Sequence, residues 1–423
     1  MVTILLAGAG YWYFFMQTGA AGLPFPSGSS NGQTGFQPFS RPPSGTSPSS
    51  SPTGTATTSQ NGQAQGSAYS LPVLRLLSDT PVGGYGASTT ASTTVVRWVD
   101  RGRGNIYQAT YDSANITTLS NTVVPRIYGS VWDRNLVSFI GSLFQSGDTA
   151  PSTVYAQLVA QATSTASAQA SSSPDSASLT PYVLRGKNIP GDVVSYAASP
   201  DGKSIFMFAV QNGEGIGYTA PFNGGTATQI FTTPLTQASV DWPAPNIISI
   251  TTAGSAYEPG YLYFVDPKTG VWKKVIGPLP GLSAKVSHDG KYAILSATGN
   301  KNNVVTSIYS VASSTGTDAV IRTLADKCAW GDFYKDVVYC GVPSQAVPGT
   351  YPDDWYKGTL STNDQIWQVD AATGAVHLVS PIISQSDRVI DAFDLSLDPK
   401  DDYLFFMNKN DLSLWSLDLV RSQ

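Results

Sequence analysis

The chain has little charge, few histidines and few cysteines. Of its 423 residues, 13% are charged, whereas about 25% is usual in soluble domains. Two cysteines and two histidines supply too few ligands for a zinc cluster, and we expect neither a metal nor another cofactor. The formal net charge is −5 and Lys and Arg do not cluster. This argues against a nucleic-acid partner, because phosphates require a basic surface.

Glycine, proline and aromatic residues are abundant instead. The sequence contains 40 Gly, 28 Pro, 21 Tyr and 9 Trp, a composition typical of turn-rich β-proteins because aromatic side chains favour strands and Gly and Pro favour turns. Ser, Thr, Asn and Gln replace charge as the surface residues. We therefore expect an all-β fold.

The N-terminus is an uncharged apolar stretch from Val2 to Met16 that ends in the aromatic residues 12–15. We assign residues 1–22 to an N-terminal hydrophobic helix that anchors the protein in a membrane, since interfacial aromatics are typical of spanning segments. The alternatives are a signal peptide cleaved near "GAAG" and a pilin-like or buried helix. All three place the remaining chain outside the cytoplasm, at the cell surface or in the periplasm.

Residues 23–68 are rich in Ser, Thr, Gly, Pro and Gln and contain few large apolar side chains. Such a segment cannot bury enough apolar surface to offset its ordering entropy, so we predict a disordered linker. A second low-complexity patch, Thr163 to Ser178, predicts a long exposed loop within the folded part. The folded domain is expected to cover residues 69–423.

A recurring motif identifies the architecture of this domain. "SPDGKSIFMFAV" begins at Ser199, "SHDGKYAILSA" at Ser287 and "SLDPKDDYLFFM" at Ser396. Ser199 and Ser287 are 88 residues apart, which fits two repeats of the roughly 40–45 residues that form a propeller blade. The polar motif is then the hairpin turn between the first two strands of a blade, where Gly accepts a positive φ. By this count the units begin near Val95, Tyr128, Val194, Ser239, Ala284, Cys328 and Phe393.

The count predicts a seven-bladed β-propeller that an N-terminal strand closes. The last unit ends after its third strand, in "LSLWSLDLVRSQ", while an unassigned strand, Val73 to Leu77, precedes the first unit. Pairing these two segments completes the last blade and removes an exposed sheet edge.

The motif "SPDGKSIFMF" resembles the repeat of TolB-like and WD-repeat-like β-propellers of the bacterial surface or periplasm. The resemblance extends over Ser70 to Leu419 and is strongest at Ser199 and Ser287. It implies a platform for protein or ligand binding and transfers no catalytic residue, because one fold hosts many functions.

Two cysteines are expected to form a disulfide. Cys328 and Cys340 flank a hairpin centred on Tyr334, so they face each other across two antiparallel strands, where the Cα spacing suits a disulfide. The alternative is a pair of unrelated buried thiols. An oxidising compartment favours the bond.

The insertion "YPDDWYKG" is the candidate binding loop. Its aromatic side chains offer contact area and its carboxylates accept hydrogen bonds from a cation, a sugar or a basic partner; the residues are Tyr351, Asp353, Asp354, Trp355 and Tyr356. The alternative is that this loop packs over the end of its own blade. His288 in a turn and His377 on an outer strand do not suggest a catalytic triad.

We therefore expect a membrane-anchored, extracytoplasmic propeller that acts as a scaffold for a protein or ligand partner and is not an enzyme. Two alternatives remain open. One is a propeller enzyme that acts on surface glycans through paired carboxylates in the central channel. The other is a structural subunit of a surface filament or layer, with the apolar N-terminus as its assembly helix.

Overall fold

The computed structural model describes residues 71–90, 92–120, 124, 126–144, 151–161, 181–189 and 191–422. The hydrophobic segment 1–22, the linker 23–68 and the patch 163–178 lie outside these residues. Strands dominate the described part, together with the short helices Asp353–Tyr356 and Leu419–Ser422 and 3-10 turns at Asn300–Asn302, Ala325–Lys327 and Ile382–Ser384. None of the described helices has the length and apolarity needed to cross a bilayer.

The strands of the described residues form six sheets, which we number I to VI. Sheet I contains β2 (Val82–Thr89), β3 (Thr94–Asp100), β4 (Ile106–Thr110), β5 (Ile116–Ser120), β6 (Ile127–Trp132), β7 (Ser138–Leu143), β8 (Ser152–Ala160) and β9 (Tyr182–Ile189). Sheet II contains β10 (Asp192–Ala198), β11 (Ser204–Gln211), β12 (Glu214–Pro221) and β13 (Thr228–Thr233). Sheet III contains β14 (Ala238–Ala244), β15 (Ile247–Thr252), β16 (Pro259–Val265) and β17 (Trp272–Pro280).

The remaining three sheets complete the propeller. Sheet IV contains β18 (Ser283–Val286), β19 (Tyr292–Thr298), β20 (Val304–Ser310) and β21 (Thr315–Asp318). Sheet V contains β22 (Cys328–Trp330), β23 (Val337–Pro343), β24 (Asp364–Asp370) and β25 (Val376–Ser380). Sheet VI contains β26 (Ala392–Leu397), β27 (Tyr403–Asn408), β28 (Leu414–Asp418) and β1 (Leu74–Ser78).

The all-β propeller is confirmed, but the prediction of seven separate four-stranded sheets is not. Five sheets have four strands, and sheet I has eight. Within sheet I, β2–β5 and β6–β9 are two antiparallel runs, and a single parallel pairing between Ser120 and Tyr182 joins their last strands. The two runs merge because β5 and β9 approach closely enough to form that bridge.

The predicted start of the first unit at Val95 is also wrong. Val95 lies on β3, and the preceding "VGGYGAST" forms the first strand, β2. A Cβ on Gly83 would lie 2.6 Å from the Ile127 carbonyl oxygen, and one on Gly86 would lie 2.7 Å from the Trp132 Cβ. The glycines that make this strand resemble a loop are therefore required by the close approach of β2 to β6.

The ring closes as predicted. β1 pairs antiparallel with β28, with Leu74 opposite Leu417, as the outermost strand of sheet VI. Both leucines belong to one apolar cluster with residues of sheet V, and each fully buried leucine stabilises the fold by roughly 1.5–3 kcal/mol. The closing strand is thus held by side-chain packing as well as by backbone pairing.

The recurring motif forms the predicted turn between the first and second strands. The Ser199 hydroxyl accepts a hydrogen bond from the Ser204 N–H at 2.9 Å and donates to Asp201 at 2.6 Å, while Gly202 adopts φ 68°. In sheet VI, Asp398 takes the place of the serine and accepts from the Tyr403 N–H at 2.8 Å. The equivalent position is therefore Asp398, two residues after Ser396.

Candidate functional site

The innermost strands of propeller blades face a central channel, and here these strands are β2, β6, β10, β14, β18, β22 and β26. Neighbouring inner strands contact one another, yet some of their side chains remain accessible. Val194 on β10 is 48% exposed, and the side chains of Asp241 on β14 and Lys285 on β18 are 44% and 38% exposed. Asp394 on β26 is also exposed. Solvent or a small ligand can therefore reach these inner strands.

The channel holds more negative than positive charge. Lys285 Nζ lies 3.9 Å from a carboxylate oxygen of Asp241. Enclosure alone would lower the pKa of Lys285, but the charges of Asp241, Asp326 and Asp394 raise it above its usual value. Although Asp394 is exposed toward the channel, desolvation by the strands that enclose it raises its pKa, and the charge of Lys285 only partly offsets this effect. One ammonium group thus stands among three carboxyl groups.

Two tyrosines connect neighbouring inner strands. Tyr85 on β2 donates its hydroxyl hydrogen bond to the backbone carbonyl of Asp394 on β26. Tyr196 on β10 donates to the carbonyl of Gly129 on β6 at 3.0 Å. Desolvation raises the pKa of Tyr196 to about 12, so this hydroxyl stays protonated at neutral pH and remains a donor.

Residues 344–363, between β23 and β24, form an insertion that we call the strap. The carboxylate of Asp353 accepts hydrogen bonds from the Ser255 hydroxyl at 3.0 Å and the Ala256 N–H at 2.7 Å, both in the connection between β15 and β16 of sheet III. The Thr298 hydroxyl, in sheet IV, donates to the Tyr351 carbonyl at 2.7 Å. The strap therefore crosses from its own sheet V over sheets IV and III.

Trp355 attaches the strap to a buried cluster of charges. Trp355 is 5% exposed, and its Nε1–H lies 3.1 Å from each oxygen of Asp391, just before β26. The Lys327 ammonium lies 2.6 Å from Asp391 and 2.7 Å from Asp364. Burial alone would lower the pKa of Lys327, but the two carboxylates raise it. Burial would likewise raise the pKa of Asp391, yet the charge of Lys327 lowers it.

A cavity of about 430 Å³ lies beside the strap, where the inner strands of sheets II, III and IV begin. Asp326 and Tyr356 form part of its wall. One oxygen of Asp326, Oδ2, accepts hydrogen bonds from the Ser283 hydroxyl at 2.6 Å and the Tyr356 hydroxyl at 2.8 Å. The volume lies in the range of roughly 300–1,000 Å³ found for small-molecule sites. Other lining residues include Asp192, Val193, Val210, Ser239, Thr252, Leu282 and Ala284.

The structure gives the predicted loop residues different positions. Tyr351 and Trp355 are buried, at 6% and 5% exposure. Asp353 and Asp354 accept hydrogen bonds from within the protein, whereas Tyr356 lines the cavity. Asp353 and Trp355 thus tie the strap to neighbouring sheets. The side chains of Tyr351 and Asp354 hydrogen-bond within the strap, and Tyr356 faces the site. Their role in binding a ligand stays a prediction.

Sequence reasoning missed Asp326 and Ser283. Ser283 is the first residue of β18, and Asp326 precedes β22 by two residues. They are 43 residues apart, close to the repeat length, and so occupy similar places in successive units. The repeat would have indicated them, because residues at the starts of inner strands meet at one end of a propeller channel.

The predicted disulfide is present. Cys328 and Cys340 are bonded, with Cα atoms 4.1 Å apart, and they lie opposite each other in the β22–β23 pair. The hairpin register deduced from the sequence is therefore confirmed.

His288 contacts a carboxylate at the turn that follows β18. Its Nδ1 lies 2.7 Å from a carboxylate oxygen of Asp332. Burial alone would lower the pKa of His288, but the hydrogen bond to Asp332 and the charge of that carboxylate raise it. In the described part of the chain, no three His, Cys, Asp or Glu side chains are grouped so that they could hold a metal ion.

Solved structures share the fold of this chain. No protein-family model and no curated protein matches the sequence. Oligogalacturonate lyase from Vibrio parahaemolyticus matches with a TM-score of 0.52 and 10% identity, over 82% of this chain and 92% of the lyase. At this identity the match establishes the β-propeller fold alone.

Two further structures match less closely. The β-propeller domain of the Trilobed protease from Pyrococcus furiosus gives a TM-score of 0.47 and 12% identity, over 78% of this chain and 94% of the domain. TolB from Acinetobacter baumannii gives 0.40 and 13%, over 75% of this chain. The chain spans 60% of that TolB. TolB is thus among the solved structures that are similar to this chain, as the repeat motif predicts.

Proposed function

We propose that this protein is a non-enzymatic binding propeller whose ligand occupies the cavity beside the strap. The observation that carries the proposal is the arrangement of Asp326, which the hydroxyls of Ser283 and Tyr356 hold in one orientation at the cavity wall. A preorganised acceptor in a concave, partly apolar site favours binding because little ordering is required when the ligand arrives.

A ligand screen by thermal unfolding tests this proposal. Full-length protein in mild detergent is mixed with amines, neutral sugars, acidic sugars and short peptides, and the melting temperature is measured. A ligand of the native state raises that temperature by mass action. We expect at least one class to stabilise the wild-type protein.

The matched variants are Ser239→Trp and Thr317→Trp. Ser239 is exposed and lines the cavity, so Ser239→Trp should fill the site and abolish the shift. Thr317 is exposed on the outer strand β21, and Thr317→Trp should retain the shift. The proposal would be refuted if a ligand stabilised Ser239→Trp as much as the wild type. It would also be refuted if no ligand class stabilised the wild type or either variant.

We further propose that residues 1–22 anchor the propeller in a membrane and that residues 23–68 separate it from that membrane on the extracytoplasmic side. The apolar stretch Val2 to Met16 and the composition of the linker support this, and a disulfide is favoured in oxidising compartments. The full-length protein should stay in the membrane fraction after a carbonate wash. Release of a protein whose N-terminus lies near residues 20–22 would instead identify a signal peptide.

We also propose that sheet I represents two blades, which gives seven in all. Among the described residues, the only strand pairing between its two antiparallel runs of four strands is the Ser120–Tyr182 bridge. An experimental structure should show the two runs separated along most of their length. Continuous pairing of β5 with β9 would argue for a single sheet.

A glycan-acting enzyme is the second candidate, because desolvation raises the pKa of Asp394 in the channel and such a carboxyl group suits a general acid. Incubation with envelope polysaccharides, followed by a reducing-end assay, tests it. Activity that is lost in Asp394→Asn would favour the enzyme, and absence of activity would favour the binding protein.

A further inference from the structure

We propose that the cavity binds the ammonium group of an aliphatic amine, with Asp326 as its acceptor. The inference rests on the proposed function and specifies the ligand class for the same site.

Asp326 is a fixed carboxylate with one uncommitted oxygen. Its Oδ2 accepts the hydrogen bonds from Ser283 and Tyr356, while Oδ1 accepts none from the residues that the structure describes. No Lys, Arg or His of the described chain lies within 4.0 Å of this carboxylate as an ion-pair partner. The two hydroxyl donors orient the group, and its negative charge remains available to a ligand.

The surroundings favour a positively charged ligand. The charged side chains in the described wall of the cavity are Asp192 and Asp326, both carboxylates. Deeper in the channel, Lys285 stands among Asp241, Asp326 and Asp394, and these charges raise its pKa. An anionic ligand would meet a net negative field, whereas an ammonium group would reduce the repulsion between the carboxylates.

The walls suit an aliphatic chain attached to that ammonium group. Val193, Val210, Leu282 and Ala284 contribute apolar surface to the cavity. Ser283, at the cavity, and Lys285, in the channel, are two residues apart on β18 and so lie on one face, roughly 6.6 Å from each other along the strand. A four-carbon diamine could span from Asp326 toward the channel carboxylates, and a lysine side chain could enter with its ammonium group first.

Calorimetric titration of the full-length protein with three probes tests the inference. Putrescine supplies two ammonium groups, butane-1,4-diol is its uncharged isostere, and Nα-acetyl-lysine-amide represents the side chain of a peptide. We expect putrescine or the lysine amide to bind at least about tenfold more tightly than the diol, because charge-assisted hydrogen bonds are the stronger ones. Added salt should weaken binding of the amine.

Three variants define the site. Asp326→Asn keeps an acceptor for Ser283 and Tyr356 but removes the charge, and should weaken binding of the amine about tenfold. Asp79→Asn makes the same charge change at an exposed residue outside the cavity wall and should leave the affinity unchanged. Ser239→Trp should abolish binding by filling the cavity while Asp326 stays intact.

The outcomes separate this inference from the proposed function. Equal affinity for putrescine and the diol, or equal affinity of Asp326→Asn and the wild type, would overturn the assignment of an amine. If Ser239→Trp still blocked binding of another class of ligand, the proposed binding function would stand and only the assignment of an amine would be lost. If no class bound in a manner sensitive to Ser239→Trp, both would fall. Tighter binding of the lysine amide than of putrescine would indicate that the natural ligand is a lysine side chain of a protein. Tighter binding of putrescine would indicate a free amine.

Discussion

The indole nitrogen of Trp355 lies 3.1 Å from each carboxylate oxygen of Asp391, which directly precedes β26 of the following sheet. Asp391 in turn neutralises part of the charge of Lys327. The strap forms part of the wall of the cavity. It is anchored at a buried ionic cluster whose residues come from sheets V and VI and the connections beside them. Tyr356, which lines the cavity, directly follows Trp355 in the chain.

Trp355→Phe should lower the free energy of unfolding by about 1.5–3 kcal/mol, the range for a hydrogen bond to a charged group. Phe keeps an aromatic ring at the site, although the smaller ring also loses part of the contact with Lys327 and Lys409. Urea denaturation measures it. Trp272→Phe is the control, because Trp272 packs against Phe231 and Tyr263 and should lose little stability. Equal losses in the two variants would show that Trp355 acts through packing alone.

Lys327→Met should cost about 3–5 kcal/mol of stability, because it leaves two carboxyl groups buried without a counter-ion. Their folded pKa values should then exceed the unfolded value, so the deficit should be larger at pH 8 than at pH 5. Urea denaturation at both pH values checks this. Lys291→Met removes the lysine from an exposed pair with Asp289 and should be nearly neutral. A deficit for Lys327→Met that is the same at both pH values would contradict the role of Lys327 as counter-ion.

Deletion of Leu71 to Ser78 should cause aggregation or loss of the folded state, because it removes β1 and exposes β28 as an unpaired edge. Size-exclusion chromatography and circular dichroism follow the outcome. Deletion of residues 27–62, within the low-complexity linker, should leave the melting temperature nearly unchanged. If both deletion variants stayed folded and unaggregated, sheet VI would not need β1.

Mass spectrometry of non-reduced protein from an oxidising compartment should yield a cross-linked peptide pair that contains Cys328 and Cys340. Replacement of both residues with Ala should lower the stability by about 3 kcal/mol at most, because the bond closes a short loop. Detection of two alkylatable thiols in that sample would show that the native protein lacks this disulfide.

Local chemistry explains what the sequence could predict. The turn at Ser199 to Gly202 depends on a serine, an aspartate and a glycine within four residues, and such signals are legible along the chain. The pairing of Cys328 with Cys340 followed for the same reason, since a hairpin places residues equidistant from its centre opposite each other. The motif match at Ser396 places the turn serine two residues too early, because Asp398 stands where sheets II and IV have the serine.

Other features arise only when distant segments meet. The glycines of β2 resemble a loop until β6 is seen to pack against them. Lys327, Asp364 and Asp391 belong to separate strands or connections, and a charged residue beside a strand ordinarily suggests an exposed turn. The cavity likewise combines the starts of several inner strands with the strap, so its wall could not be read from any one repeat.

The pairing of β1 with β28 also brings the two ends of the described chain together: Arg421 donates a hydrogen bond to the carbonyl of Leu71 at 2.8 Å. A short peptide could therefore join residue 422 to residue 71, and new termini could be opened in an exposed turn such as the one that Asp266 and Gly270 form. In such a circular permutant every strand would keep its neighbours, and only the position of the seam in the ring would change.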